Sequence, residues 1–154
     1  MSARFTTALH ALGMIAWAEA RTPGAPTRSA DLARSINTNP VVVRRVLADL
    51  RRAGLVTTRR GVGGGVVLAR APSRISLRAV WEALAAGEHG QLIGRHPAGP
   101  NPDCPIGRCV ADYIEGLYGE AEAALKASLG KVTLATVRRE LDARLGPSFT
   151  PADH

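Results

Sequence analysis

Residues 37–69, NTNPVVVRRVLADLRRAGLVTTRRGVGGGVVLA, decide the fold. Asn37-Thr38-Asn39 makes a short turn, Asn39 stands where a helix N-cap belongs, and Pro40 suits a first helical turn. The helix predicted from there runs from about Pro40 to Ala53 and ends at Gly54, a residue type suited to the left-handed C-cap. At about 100° per residue, Val46, Leu47 and Leu50 fall within roughly 60° of Val43 and form a core stripe. Val41, Arg45 and Arg52 lie near the opposite side, with Arg44 and Arg51 on a flank. After Gly54 the pattern changes. Leu55–Arg60 and Val66–Ala69 are β-prone and flank Gly61-Val62-Gly63-Gly64-Gly65, so they read as a hairpin with a glycine-rich tip.

Working outward, a helix starting near Arg28 places Ala30, Leu32, Ala33 and Ile36 inward. Before it, Phe5, Leu9, Leu12, Ile15 and Ala16 recur at three- and four-residue spacing over roughly residues 3–20, until Thr22-Pro23-Gly24-Ala25-Pro26 breaks the helix. Downstream, Pro72 and Ser73 precede a helix over about Leu77–Ala85 containing Val80, Trp81 and Leu84. Residues 86–105 hold four Gly and four Pro and read as a long loop. A long helix follows from about Pro105 to Leu129, ended by Gly130. A last one covers about Leu134–Leu145, before Gly146-Pro147 and a frayed tail. Trp17 and Trp81 read as core anchors and His10 as a packing residue. The fold class is mainly α with a small β-hairpin wing: helix, short turn, helix and hairpin make a winged helix-turn-helix.

The chain has 154 residues, 45% of them hydrophobic and 21% charged, which suits a globular domain and excludes a mostly disordered one. Aromatics are 4%, too few for a nucleic-acid platform of stacked rings. There is no uncharged apolar run of 18 residues and no signal-peptide block around Arg4, Glu19 and Arg21. Two cysteines without an export signal fit a reducing compartment, so the expected location is the cytoplasm of a bacterium. Charge is unevenly spread. Residues 1–78 hold thirteen arginines against Glu19, Asp31 and Asp49, a balance of +10; residues 79–154 hold seven bases against ten acids, or −3. A coding bias explains arginine over lysine but not why acids avoid the first half. A basic half beside a mildly acidic one points to a polyanionic partner for the former.

An outward arginine face on the third helix can bridge O6 and N7 of guanine, although solvated arginine faces also occur without a partner. At the hairpin tip, Arg59 and Arg60 enter a glycine run whose bare backbone can approach a groove or a phosphate. A nucleotide loop is excluded: position 66 is valine, and no Gly-Lys-Ser/Thr follows. No Ser/His/Asp or paired-carboxylate arrangement stands out, and Asp31 and Asp49 read as helix-surface residues, so no enzyme is expected.

Gly54-Leu55-Val56, Arg60-Gly61-x-Gly63-Gly64-Gly65, Leu68-Ala69-Arg70, Pro72, Ile75-Ser76-Leu77 and Val80 form an ordered string, opened by Phe5-Thr6-x-Ala8-Leu9-x-Ala11-Leu12. This string resembles the signature of the Rrf-type bacterial winged-helix regulators. The likeness covers about residues 2–85 in detail and the remaining helices in layout, including Val132-Thr133-Leu134. It implies a homodimer on a roughly palindromic operator, usually a repressor, with the long helix as dimerisation element. The residues fit: Val110, Ile114, Leu117, Ala121 and Leu125 form a stripe able to pack on a partner, or inside its own chain. The expected organisation is a DNA-binding domain over 1–85, a sensor loop over 86–105, dimerisation helices over 106–146 and a flexible tail over 147–154.

Cys104 and Cys109 sit where the loop meets the long helix. Cluster-binding members of the family carry three cysteines there. With two in the whole chain, that set cannot be built without His89, His96 or a second subunit, so no iron–sulfur cofactor and no metal is expected. Redox sensing is the remaining chemistry. A thiol at a helix N-terminus near Arg108 favours the oxidisable thiolate, with Cys109 as resolving partner. Five helical residues span about 140° of rotation and ~7.5 Å of rise, too far for an unstrained bridge, whose Cα atoms lie within about 7 Å. Cys104 must then lie off the helix, the first turn must unwind, or the bridge must cross a dimer. The plain alternative is two unreactive thiols.

The expected function is a dimeric DNA-binding transcription regulator, a repressor controlled by thiol oxidation. Expected DNA contacts are Thr38, Asn39, Val41, Arg44 and Arg45 around the third helix, and Arg59, Arg60, Gly61, Gly63 and Gly64 in the wing. Arg4 and Arg28 are expected to touch phosphates. A sequence-neutral DNA binder and a module docking a partner enzyme stay open as rivals. A small ligand closed in by the long loop is a variant of the main reading.

Overall fold

Helix α3 (Pro40–Arg52) begins where the side chain of Asn39 accepts the backbone N–H of Val41 at 2.8 Å. It ends where Gly54 takes φ +66°. Ahead of it stand α1 (Ala3–Arg21) and α2 (Ser29–Ile36), the latter closed by Asn37 in the left-handed region. Strands β1 (Val56–Arg59) and β2 (Gly65–Leu68) follow, then a 3-10 turn (Pro72–Arg74), α4 (Leu77–Ala85), α5 (Pro105–Gly130) and α6 (Leu134–Leu145). Ser76 caps α4 and Thr133 caps α6, each through its hydroxyl. This computed structural model describes residues 3–86 and 103–146. Most of the expected loop over 86–105, with His89 and His96, and the tail from 147 lie outside the described residues.

One core joins all six helices except most of α5. Leu12, Ile15, Leu32, Val43, Val46, Leu50, Leu55, Ile75, Val80 and Leu134 are fully buried in it. Phe5 meets Trp81 edge-on with ring centroids 5.3 Å apart, so Trp81 is the anchor expected of it. Trp17 is not: it is half-buried, and its ring carries the Arg21 guanidinium 3.5 Å from the centroid. Ala30 likewise faces out, because the short α2 buries only Leu32 and Ala33. His10 reaches Ser35 at 3.1 Å between α1 and α2, and burial lowers its pKa below the usual 6.5. The α5–α6 junction is tied to the start of α4 by a two-residue bridge. Leu77 N–H donates to the Val132 carbonyl (2.9 Å) and Leu134 N–H to the Ile75 carbonyl (2.8 Å).

The wing is antiparallel, with Val56 opposite Leu68 and Arg59 opposite Gly65. It is more than a hairpin, because Thr27 pairs with Val66 in both directions (2.9 and 2.8 Å) and adds the α1–α2 connection as a third edge. Gly65 permits that approach: a Cβ there would stand 2.6 Å from the Thr27 carbonyl oxygen. Gly65→Ala should therefore push Thr27 away and destabilise the fold by about 1–3 kcal/mol. The shift of the urea unfolding midpoint at unchanged m-value measures it, and a wild-type midpoint would refute the close approach.

Candidate nucleic-acid interface

Helix α3 presents its charges by rotation alone. Val43, Val46, Leu47 and Leu50 are buried, which turns Val41, Arg44, Arg45, Arg51 and Arg52 outward. Among the described residues, Arg44, Arg45 and Arg51 have no carboxylate partner, and neither do Arg28, Arg60 and Arg74. These uncompensated cations sit on α3, at the N-cap of α2, in the wing and in the 3-10 turn. Arg44 and Arg51 of α3 share one cleft with Ser29 of α2 and Thr58 of the wing, so cations of α3 lie beside both elements.

Asp49 does not lie on the helix surface. It is 6% exposed, taken up by Arg4 from α1 and by Arg52 one turn on at 2.7 Å. The physical reason is its angle on α3, on the side that α1 covers, where a guanidinium from α1 compensates the buried carboxylate. Arg4, expected to touch phosphate, is thus committed to holding α3 against α1. Arg34 pairs with Asp31 at 2.9 Å and Arg78 with Glu82 at 2.7 Å, which removes them from the free cations.

The turn residues are part structural and part available. Asn39 spends its side-chain oxygen on capping. Thr38 is half-buried, its N–H bonded to the Ala33 carbonyl. Val41 stays exposed at the first turn of α3, an apolar group of the kind that meets a thymine methyl. In the wing, Arg59 donates to the Gly24 carbonyl at 2.6 Å, so it ties the wing to the α1–α2 connection. Arg60 is free at the tip. Gly61 and Gly63 adopt φ +98° and +77° and are exposed, while Gly64 packs under the turn, its N–H on the Gly61 carbonyl. Sequence reasoning missed Val62, which stands fully exposed at the tip. The signal was an apolar residue between two glycines.

Helix α5 has no buried residue. Its exposed apolar side chains are Ile106 (75%), Val110 (54%), Tyr113 (69%) and Leu117 (43%), one helix face at i, i+4, i+7 and i+11. Of the expected stripe, Val110, Leu117 and Ala121 face outward, Ile114 is half-covered, and Leu125 packs on the chain's own core with Leu129. Ile106 and Tyr113 were absent from that stripe. A helical wheel puts them about 60–80° to one side of its centre, and only the position of α4 shows that this side is the one left open.

Cys104 is the N-cap of α5, just off the helix, and its Sγ accepts the Gly107 N–H at 3.3 Å. Cys109 is exposed in the second turn. Among the described residues no three His, Cys, Asp or Glu side chains come together. Cys104 and Cys109 supply two thiols, and His89 and His96, which a cluster would need beside them, lie outside the described residues.

A model of the Rrf2 family, described as iron-dependent transcriptional regulators, matches residues 1–140. The chain is 33% identical over 141 residues to YwnA of Bacillus subtilis (strain 168), described as an HTH-type transcriptional regulator. The match covers 92% of this chain and 98% of YwnA. A solved structure described as a DNA-binding protein is 30% identical, with TM-score 0.64, covering 88% of this chain and 98% of its own. IscR of T. potens shares the fold at 19% identity and TM-score 0.67, over 97% and 93% of the two chains. No described helix is long and apolar enough to cross a membrane.

The two kinds of arginine should separate experimentally. Arg45→Ala is expected to cost ~1–3 kcal/mol on the preferred sequence and to relax preference there. Arg28→Ala should weaken all duplexes alike and lower the salt slope by about one. Anisotropy titrations at several salt concentrations, on specific and random DNA, check both. Identical effects of the two variants would refute the assignment.

Proposed function

The chain belongs to the Rrf2 family of transcriptional regulators, and from that premise we propose a homodimeric repressor that reads its operator with α3 and the wing and lets go on thiol oxidation. It binds DNA as its family does and is not an enzyme. The observation that carries the finer reading is the set of arginines, without carboxylate partners among the described residues, on α3, at the start of α2 and in the wing. Arg44, Arg45 and Val41 enter the major groove, Arg60 with Gly61 and Gly63 follows the minor groove, and Arg28 holds a phosphate. Arg4 and Arg59 act through position: one holds α3, the other holds the wing. A reader of genomic DNA of this kind works in the bacterial cytoplasm.

Dimerisation is supported by the bare face of α5. Ile106, Val110, Tyr113 and Leu117 offer a seam that an identical face closes by two-fold symmetry. Two copies joined there present two α3 helices, matching a roughly palindromic site, and a dimer seated over a promoter excludes the polymerase. Thiol control is supported by the place of Cys104 at the start of this seam. Its Sγ accepts the Gly107 N–H at the N-terminus of α5. Peroxide takes thiolate to sulfenic acid, which condenses with the Cys109 thiol and releases water. In this proposal the bridge forms within one chain and unwinds the first turn of α5, which withdraws Ile106 and Val110 from the seam. The donor set favours a sensor without a cluster, so protein purified without air should carry iron well below one equivalent.

Light scattering and operator binding test the assembly: Tyr113→Asp should give a monomer and lose about 10²-fold or more in apparent affinity as the half-sites become unlinked. The sensing is tested with DNA from upstream of the protein's own gene, comparing reduced and peroxide-treated protein against random duplex. Binding should fall on oxidation in the wild type and stay in the Cys104→Ser/Cys109→Ser double variant. An equal response in both would remove the cysteines from the mechanism.

A further inference from the structure

A cleft of about 210 Å³ lies between α3 and the wing, lined by Leu47, Ala48, Val56 and Val66 with Arg44 and Arg51 among its walls. Leu47, Val56 and Val66 are buried residues, so the floor is apolar. Both arginines are exposed and neither has a carboxylate partner among the described residues. Ser29, the first residue of α2, and Thr58 of β1 add hydroxyl-bearing side chains to the lining, and no acidic residue does. A backbone phosphate of DNA can use the cations but has nothing to place on an apolar floor. Such a floor beside free guanidinium groups suits an amphipathic anion: an apolar body desolvated below and a carboxylate held by an arginine.

Size and spacing narrow the class. The cleft is smaller than the roughly 300–1,000 Å³ that drug-sized ligands occupy, so it takes a single ring. Arg44 and Arg51 are seven residues apart on one flank of α3, about 10 Å along the axis, and bracket the floor. One guanidinium can bind the carboxylate while the other lies over a ring face. We propose that this cleft binds a small aromatic carboxylate, and that its occupancy opposes DNA binding. An Arg44 neutralised by the ligand is withdrawn from DNA, and a ring wedged between α3 and β1 sets the wing's distance from the reading helix. The second half of the proposal rests on the DNA-reading role given above to Arg44.

The test titrates full-length protein with benzoate, with neutral benzamide and inorganic phosphate as controls, and follows backbone amide shifts by NMR. Saturable benzoate shifts are expected at Ser29, Leu47, Ala48, Val56, Thr58 and Val66, with little response to either control. Ala48→Leu, which fills the cleft, should abolish them. Arg51→Gln, which takes the cation from the ring face while Arg44 keeps the carboxylate, should weaken binding about fivefold. Amide dispersion reports whether each variant is folded. The apparent Kd for DNA should rise with benzoate occupancy in the wild type. No saturable shift in the cleft, an equal response to phosphate, or unchanged binding in a folded Arg51→Gln would overturn the site. Saturable binding that leaves DNA affinity unaltered would overturn the antagonism. A protein that binds benzoate in the cleft but no DNA would uphold the site and refute the DNA-reading role of Arg44.

Discussion

Four arginines and one aspartate on thirteen residues would repel a helix from any protein surface, and α3 stays seated because it buries Val43, Val46, Leu47 and Leu50. Each such side chain contributes about 1.5–3 kcal/mol when fully removed from water, more than the mutual repulsion of solvated guanidinium groups at physiological salt. Asp49 adds a second hold on the other side by taking Arg4 and Arg52. The outward cations are thus displayed by a helix gripped on two sides. A reader of DNA needs that rigidity, since a side chain bridging two atoms of a base tolerates little error in position.

The same economy governs the wing. Two four-residue strands make a marginal unit by themselves. Here Thr27 pairs with Val66 and Arg59 bonds the Gly24 carbonyl, so the α1–α2 connection ties the hairpin to the body. The cost is that Arg59 is spent on structure, leaving Arg60 as the cation at the tip. Between this anchored wing and α3 the apolar cleft opens.

Helix α5 has the opposite character. Its last turns dock through Leu125 and Leu129, whereas its first half carries bare Ile106, Val110, Tyr113 and Leu117. A stripe of this kind in water is unfavourable unless it is covered. The proposed dimer covers it, and Cys104 at the helix start is placed where a chemical change reaches the seam first. A signal at α5 would then act on the seam that pairs two DNA-reading units, and a ligand beside α3 on the reading surface itself.

Short-range chemistry was legible in the chain. Asn39, Pro40 and Gly54 mark the ends of α3 by local chemistry; the caps Ser76 and Thr133 act over equally short range but were not picked out as such. The inward stripe of α3 follows from its period, and the winged architecture from the order of elements. The family string at residues 54–80 joins turn and strand positions whose spacing is local too. What a residue meets across the fold was not legible. A wheel gives the angle of Asp49 but not that α1 covers that angle with Arg4, 45 positions away in sequence. It groups Leu125 with Val110 on one stripe, while the packing of α4 and the core divides them. Local periodicity and capping therefore determined the elements and the faces they can offer. Tertiary packing decided which faces are spent on the molecule itself and which remain for a partner, because coverage depends on neighbours that the chain brings together only on folding.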